Sequence, residues 1–364
     1  MHYGDYEIKD YDPAHVEEVS KVQEYLYGLG KDITLKYFQW KYEQNPHSLV
    51  KKPLGKIAVH NGKIIGFRGF FPTKWYLGNE ENNIFMLSSS DVCVHPEHRK
   101  KGLFQKMTEE AIKDYSDYGY KFYINLSSNQ FSTPGDIKMG WKKMAARQVL
   151  RKSNFLSLVK YVLAAKAKIS LNPFKINLGY YENIEVSDKP KPADINSLHL
   201  QQNKDKGFIY FSRDIEFIKW KYRNNLRKYL FFYYNNGSIL KSYIVIGIRR
   251  YTPRFTNKAD IIDFAQSDNK ALEEILKYIL RVFSTNIFDV WNFNIDPAVI
   301  SIFNHFGFSE NSYTVRKQKI HQGKRYCLIR PINRDYTEGD WFINDIDMRN
   351  FENLQVGEIC ADDS

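Results

Sequence analysis

The sequence predicts an α/β (α+β) protein made of two similar halves, and three observations carry that expectation. Strand and helix signals alternate from Tyr6 onward. Between Ser88 and Tyr115 an alternating strand runs into a basic turn and then into a helix. The stretch from Phe217 to Phe308 then repeats the order of elements found between Trp40 and Trp141.

Tyr6 to Lys9 reads as a first strand. Asp12-Pro13 offers an N-cap followed by proline at the first helical position, which opens a helix from His15 to Leu29. Thr34 to Gln44, with Tyr37-Phe38-Gln39-Trp40-Lys41-Tyr42, reads as a second helix. It closes at Asn45-Pro46, because the residue before a proline is pushed out of the α region. Lys56 to His60 and Lys63 to Phe71 flank Asn61-Gly62, a pair that accepts the left-handed backbone of a tight hairpin. The next strand ends in Val92 and Val94 and stops at His95-Pro96, since proline donates nothing to a sheet ladder. Arg99-Lys100-Lys101-Gly102 forms the basic turn, and Phe104, Met107, Ala111, Ile112 and Tyr115 recur at helical spacing. Tyr120 to Leu126 is a further strand. A loop, Ser127-Ser128-Asn129-Gln130, leads to a short helix ending at Met139-Gly140-Trp141.

A strand, a basic glycine turn and a helix N-terminus make an anion seat. The first N–H groups of a helix lack internal partners, and the helix dipole places about half a positive charge there. Gly102 lets the backbone approach a bulky anion, and Arg99, Lys100 and Lys101 add countercharge. Neither the P-loop pattern nor the dinucleotide fingerprint is present.

Val92-Cys93-Val94-His95-Pro96-Glu97-His98-Arg99-Lys100-Lys101-Gly102 resembles the acyl-CoA pyrophosphate loop of the GNAT superfamily of N-acetyltransferases. That loop reads Arg/Gln-x-x-Gly-x-Gly/Ala; Arg99, Lys100, Lys101, Gly102 and Leu103 fit, while Phe104 stands where the family has a small residue. The resemblance implies two GNAT-like domains, each a mixed, largely antiparallel central sheet flanked by helices. It implies acetyl-CoA as acyl donor, with Val92, Cys93 and Val94 along the pantetheine and the 99–104 turn on the pyrophosphate. Asn129 matches the family's pantetheine-binding Asn. At the place of the family's general-acid Tyr the chain has Asp136, a candidate for that role.

Leu150 to Ile169 carries an apolar series with Lys152, Lys160, Lys166 and Lys168. It reads as an amphipathic helix that either packs between the halves or lies on a membrane surface. Asn172-Pro173 and Lys189 to Asp194 mark an irregular connection. In the second half, Trp220-Lys221-Tyr222 echoes Trp40-Lys41-Tyr42. Tyr229 to Tyr234 and Ile239 to Ile248 echo the first hairpin, and Ile261 to Phe264 its long strand. Ala271 to Phe283 stands for the helix, Phe288 to Asn294 for the next strand, and Phe306-Gly307-Phe308 for Met139-Gly140-Trp141. Where the basic turn should stand, Ala265-Gln266-Ser267-Asp268-Asn269 puts an acid in the way of a polyphosphate. The second half is therefore expected to be degenerate, with one donor seat in the first. The expected divisions are 1–165 and 196–335 for the halves, 166–195 for the connection and 336–364 for a tail. In that tail Trp341, Asp345 and Asp347 are candidate substrate-binding residues that fold back toward the first half, and Cys360 to Ser364 reads as solvated.

Composition narrows the partners. A net charge of +11 attracts polyanions, but no zinc finger, RNA-recognition signature or repeat code accompanies it, so specific nucleic-acid reading is not expected and coenzyme A suffices. Cys93, Cys327 and Cys360 are far apart in sequence, odd in number and without C-x-x-C spacing, which suggests a reducing compartment, and no metal is expected. The N-terminus has no signal-peptide pattern and no apolar run is long enough for a span, which gives a cytoplasmic expectation with peripheral membrane contact left open.

Acyl transfer to an amine needs a bound thioester, an unprotonated nucleophile and a stabilised oxyanion. Asp91, the nearest carboxylate to the donor strand, is the candidate general base, although strand parity sets it opposite Val92 and Val94 unless a bulge intervenes. Cys93 lacks a motif-linked His and reads as a core residue. Three functions remain open: an acetyl-CoA-dependent N-acetyltransferase acting on a small primary amine such as an amino sugar of surface polysaccharide, a Fem-type aminoacyl ligase using aminoacyl-tRNA, and a non-catalytic basic interaction protein.

Overall fold

The computed structural model describes residues 2–3, 5–28, 30–167, 176–204, 207–249, 258–283, 285, 287–291, 293–310 and 324–361. The first half contributes β1 (His2–Tyr3), β2 (Tyr6–Asp10), α1 (Val16–Tyr27), α2 (Lys31–Phe38), β3 (Gly55–His60), β4 (Lys63–Leu77), β5 (Asn79–Val94) and α3 (Leu103–Tyr115). It continues through β6 (Phe122–Ser128), α4 (Thr133–Lys138), β7 (Lys142–Ala146), β8 (Val149–Ser153) and α5 (Phe155–Lys166). The second half follows with β9 (Gly179–Tyr181), β10 (Ile184–Ser187), α6 (Pro192–Asn203), β11 (Ile209–Phe211), α7 (Ile215–Lys221), β12 (Arg227–Asn236) and β13 (Ile239–Arg249). It closes with β14 (Lys258–Gln266), α8 (Asn269–Val282), β15 (Ile287–Trp291), α9 (Pro297–His305), β16 (Tyr326–Pro331), β17 (Phe342–Ile343), β18 (Ile346–Asp347) and β19 (Leu354–Gln355).

The strands form two large mixed sheets, and the halves share them. The first sheet runs β1-β2-β3-β4-β5-β6-β16-β7, with β11 and β19 beside the far end of β4. The second runs β8-β15-β14-β13-β12-β10-β9. Besides the parallel pairing of β11 with β19 in the first, each sheet contains a parallel pair in the equivalent place, β5 with β6 and β14 with β15. The strand next to that pair comes from the other half in both sheets: β16 lies against β6, and β8 lies against β15. The segment expected to be a connection, 166–195, supplies β9 and β10 to the second sheet.

Several local expectations hold for the reasons that produced them. Asn61 and Gly62 both take left-handed φ, +49° and +72°, as a two-residue hairpin turn requires. Gly140 and Gly307 take φ of +86° and +82° directly after α4 and α9, so the two glycine–aromatic steps are matching helix stops. Other expectations need correction. The helix expected over Thr34 to Gln44 ends at Phe38 and widens into a π turn, Gln39–Glu43. The amphipathic helix expected from Leu150 starts only at Phe155, because Val149–Ser153 is claimed as strand by β15; Lys168, Ile169 and Asn172-Pro173 lie outside the described residues. The tail is packed, with Ile359, Cys360 and Ala361 buried, Lys221 Nζ donating to the Ala361 carbonyl at 2.7 Å and Glu358 paired with Arg227. Residues 362–364 lie outside the described residues.

The halves meet across an apolar cluster that draws on both. At its centre the Trp40 and Trp220 rings stack at 4.5 Å and 9°. Each indole N–H donates to the other tryptophan's carbonyl at 2.7 Å. Equal bonds in both directions are what a two-fold relation between duplicated segments produces. Truncating Trp40 to Ala removes the ring contact and the indole N–H that reaches the Trp220 carbonyl. In urea unfolding this is expected to cost about 3–5 kcal/mol. The Trp40→Ala and Trp220→Ala changes should be non-additive by about 1 kcal/mol or more in a double-mutant cycle.

Candidate active site

The first half opens a wedge beside β5. This strand pairs with β4 as far as Val94 opposite Gly66, yet it meets β6 only through Met86, Ser88 and the residue between them. Beyond Ser88 the parallel neighbours part, and the Ser89–Val94 edge faces the gap while β6 continues to Ser128. Among the described residues, Ser89 Oγ is buried with no hydrogen-bond partner.

A bulge shapes that edge. Cys93 pairs with Phe67 and Ser90 with Gly69, so the single residue Arg68 faces both Asp91 and Val92. Asp91 takes φ of +52°. Tyr42 Oη donates to Asp91 Oδ2 at 2.6 Å and lies 3.0 Å from Ser90 Oγ, which places two consecutive side chains on one face. Lys41 Nζ donates to the same carboxylate oxygen at 2.7 Å. Gly69 makes this possible, because a Cβ there would stand 1.9 Å from the tyrosine hydroxyl. Burial and the Asp91 charge hold Tyr42 well above its ordinary pKa, so it remains a donor. The Asp91 side chain is completely shielded from solvent, its pair with Lys41 lying beneath the α1 face of the strand. The candidate base is therefore corrected: this carboxylate is consumed in holding the bulge.

The anion seat is open. His95 N–H donates to the Ile65 carbonyl at 2.8 Å, and Arg99 Nε to the Val94 carbonyl at 3.0 Å, which folds the turn back on the strand end. Lys100 and Gly102 take φ of +63° and +74°. Gly102 is the N-cap of α3, and no side chain caps the helix. A Cβ on Gly102 would meet only Lys106 Cε, at 4.0 Å. Arg99, Lys100, Lys101 and Gly102 are exposed, and Lys101 Nζ donates to Tyr6 Oη at 2.8 Å. Phe104 does not narrow the seat: its ring lies against Gly135 and under the Arg68 guanidinium, 5.1 Å from it.

The far wall holds the other candidates. Asn129 Oδ1 accepts from the N–H groups of Phe131 and Ser132, at 2.8 and 3.1 Å, and so shapes the turn into α4. Asp136 is fully buried. Ser128 Oγ donates to its Oδ2 at 2.9 Å, and Oδ1 has no partner among the described residues. Burial raises its pKa, opposed by the Arg68 charge and the Ser128 bond. Cys93 donates its Sγ–H to the Val22 carbonyl, and burial pushes its thiol up to about 11, so it is not a nucleophile.

The tail candidates lie elsewhere. Trp341 is buried against Tyr336 with the Arg349 guanidinium over its ring, rather than offering a face to a ligand. Asp347 pairs with Arg349 at 2.9 Å. Asp345, at φ +64°, forms the turn between β17 and β18. Sequence reasoning missed the Lys41–Tyr42–Asp91 lock; its only signal was the repeated Trp-Lys-Tyr.

The second half has the same wedge without the seat. Past Ile261 and Val290, β14 and β15 part around a cavity of about 260 Å³ whose walls include Arg213, Asp263 and Glu358. At the start of α8, Asp268 accepts from the Lys270 N–H, filling with a carboxylate the place that Gly102 leaves open.

Residues 7–144 match the model of the acetyltransferase (GNAT) domain. No curated protein sequence matches the chain. Among solved structures, it resembles a GCN5-related N-acetyltransferase from Anabaena variabilis at TM-score 0.61 and 12% identity, over 90% of this chain and 73% of that one. It also resembles a tandem GNAT protein of the clavulanic acid biosynthesis pathway at TM-score 0.54 and 10% identity, over 90% and 99% of the two chains. The N-myristoyltransferase of Saccharomyces cerevisiae is similar at TM-score 0.56 and 11% identity, over 98% and 90%. At these identities the likeness is one of fold. Residues 7–144, which surround the wedge, thus carry an acetyltransferase (GNAT) domain, and the whole chain shares the fold of solved GNAT proteins, a tandem one among them.

Proposed function

We propose that the protein transfers an acetyl group from acetyl-CoA to a primary amine of a small molecule, with an amino sugar as the acceptor class to try first. The observation that carries this reading is the uncapped N-terminus of α3 at Gly102, set in a basic turn at the mouth of the wedge. The fit is physical: a pyrophosphate takes the orphan N–H groups of α3 beside Arg99, Lys100 and Lys101, and an extended pantetheine lies along Val92, Cys93 and Val94 where β6 no longer pairs with β5. When bound, the group supplies the acyl thioester.

The chain's own residues do the rest. The bulge fixed by Lys41, Tyr42 and Asp91 holds the β5 edge away from β6 and keeps its main-chain groups directed into the wedge. Asp136, with its pKa raised by burial, is the proton donor for the departing thiolate, and Arg68 sets its ionisation. Asn129 holds the turn that carries this wall. The acceptor amine must lose its proton to water or to a group at the open side, since Asp91 is shut away.

Isothermal titration with acetyl-CoA tests the donor reading. Arg99→Glu and Gly102→Glu are expected to weaken binding by roughly tenfold or more each, through lost countercharge and a side chain forced into left-handed backbone. Unaltered affinity in both would overturn it, and transfer that needs aminoacyl-tRNA would favour the ligase reading. Mass spectrometry after incubation with amino sugars, amino acids and polyamines identifies the acceptor.

The acid role has its own readout. Because its folded pKa is raised, Asp136 favours the folded state at low pH, and that contribution is lost as pH rises through the folded value. Asp136→Asn should therefore lose less stability than the wild type as pH rises, giving a flatter profile in thermal melts. Its kcat should fall by about a hundredfold and lose the alkaline limb of the wild-type rate profile. A variant with an unchanged rate profile would remove Asp136 from the chemistry.

A further inference from the structure

No helix among the described residues is long and apolar enough to cross a membrane. One helix nevertheless carries an exposed aliphatic stripe. In α5, Leu156 is 80% exposed and Leu163 59%, and Val159 and Val162 are exposed beside them. At about 100° per residue these four positions fall within a stripe about 120° wide. The opposite side carries Ser157, which is buried, and the half-buried Ala164. A helix of a water-soluble surface shows the reverse, with small and polar residues outward and large aliphatics inward.

The charge around the stripe points to what covers it. From Ile137 to Tyr181 the sequence contains ten Lys or Arg and no Asp or Glu, so this stretch carries nearly all of the chain's net +11. Lys138, Lys142, Lys143 and Lys166 are exposed. The stretch also holds Leu178, 50% exposed, just before β9. An exposed aliphatic stripe inside an acid-free basic segment is complementary to a surface that is apolar beneath and anionic on top. Nucleic acid matches the charge but leaves the leucines in water. A second copy of this chain matches the leucines but brings its own positive charge.

We propose that α5 lies in the headgroup region of an anionic lipid bilayer, with Leu156, Val159, Val162 and Leu163 in the acyl boundary and the surrounding lysines on the lipid phosphates. The enzyme is then a peripheral membrane protein held at the crossing between its halves.

Vesicle co-sedimentation of the full chain tests this, with vesicles of phosphatidylcholine alone and of phosphatidylcholine mixed with phosphatidylglycerol. The wild type is expected to partition onto the anionic vesicles and far less onto the neutral ones. The Leu156→Asp/Leu163→Asp double variant should lose at least about tenfold in partitioning, because two leucines leave the interface and two anions enter it. Both positions are exposed, so its melting temperature and acetyl-CoA affinity should match the wild type. The proposal fails if the wild type stays in solution with anionic vesicles, or if the double variant partitions equally. It also fails if light scattering shows a wild-type dimer that the variant abolishes, or if the chain binds RNA while ignoring vesicles.

Discussion

Three consecutive residues in one π turn, Trp40, Lys41 and Tyr42, do two jobs that elsewhere fall to separate elements. Trp40 meets its duplicate at the seam of the halves, while Lys41 and Tyr42 reach the Asp91 carboxylate and set the bulge. A buried ion pair of this kind adds little net stability, since desolvation offsets most of the Coulombic gain. What it adds is uniqueness: moving either partner leaves a charge stranded out of water, so the strand has one permitted path. The widening to a π turn is how the segment presents Trp40 toward the partner half and its two neighbours toward the strand. The geometry of the donor edge is thereby tied to the packing between the halves.

The duplicated halves differ most where they would have been chemically equivalent. Both have a parallel pair that parts, and both have a helix starting at the mouth of the gap. In the first, a left-handed glycine starts the helix and no side chain caps its N–H groups; in the second, the Asp268 carboxylate accepts from one of them. The second wedge is lined in part by the Arg213–Asp263 ion pair and by Glu358, which pairs with Arg227.

Local chemistry was legible in the sequence; exchange between distant segments was not. Asn61-Gly62, the Gly140 and Gly307 stops and the Arg99–Gly102 turn each depend on backbone rules that act within a few residues. The duplication showed through its repeated Trp-Lys-Tyr. The pairing of β16 with β6 and of β8 with β15 has no local signature, because a strand reads the same whichever sheet receives it. Asp91 was found as the carboxylate of the donor strand, but its role was set by Lys41, fifty residues away in sequence. Trp341 misled for a related reason, since an aromatic beside acids reads as a binding face until Tyr336 and Arg349 are seen to cover it.

The exchange also accounts for the position of α5. Only Arg147 and Gln148 separate β7 in the first sheet from β8 in the second, so the chain passes from one sheet to the other without a loop long enough to reverse. With Arg151 bound to Asp289 and Lys152 to the Phe306 carbonyl, the strand is pinned just before Asn154, whose Oδ1 accepts from the Ser157 N–H as α5 begins. That cap fixes the rotation of the helix about its axis, and the rotation it fixes buries Ser157 and turns Leu156 outward. The outward stripe is thus a consequence of anchored geometry rather than of a helix left unpacked. A free helix would turn such leucines inward, so the proposed anionic partner rests on this exposed stripe and on a stretch, Ile137 to Tyr181, whose sequence holds Lys and Arg but no acid.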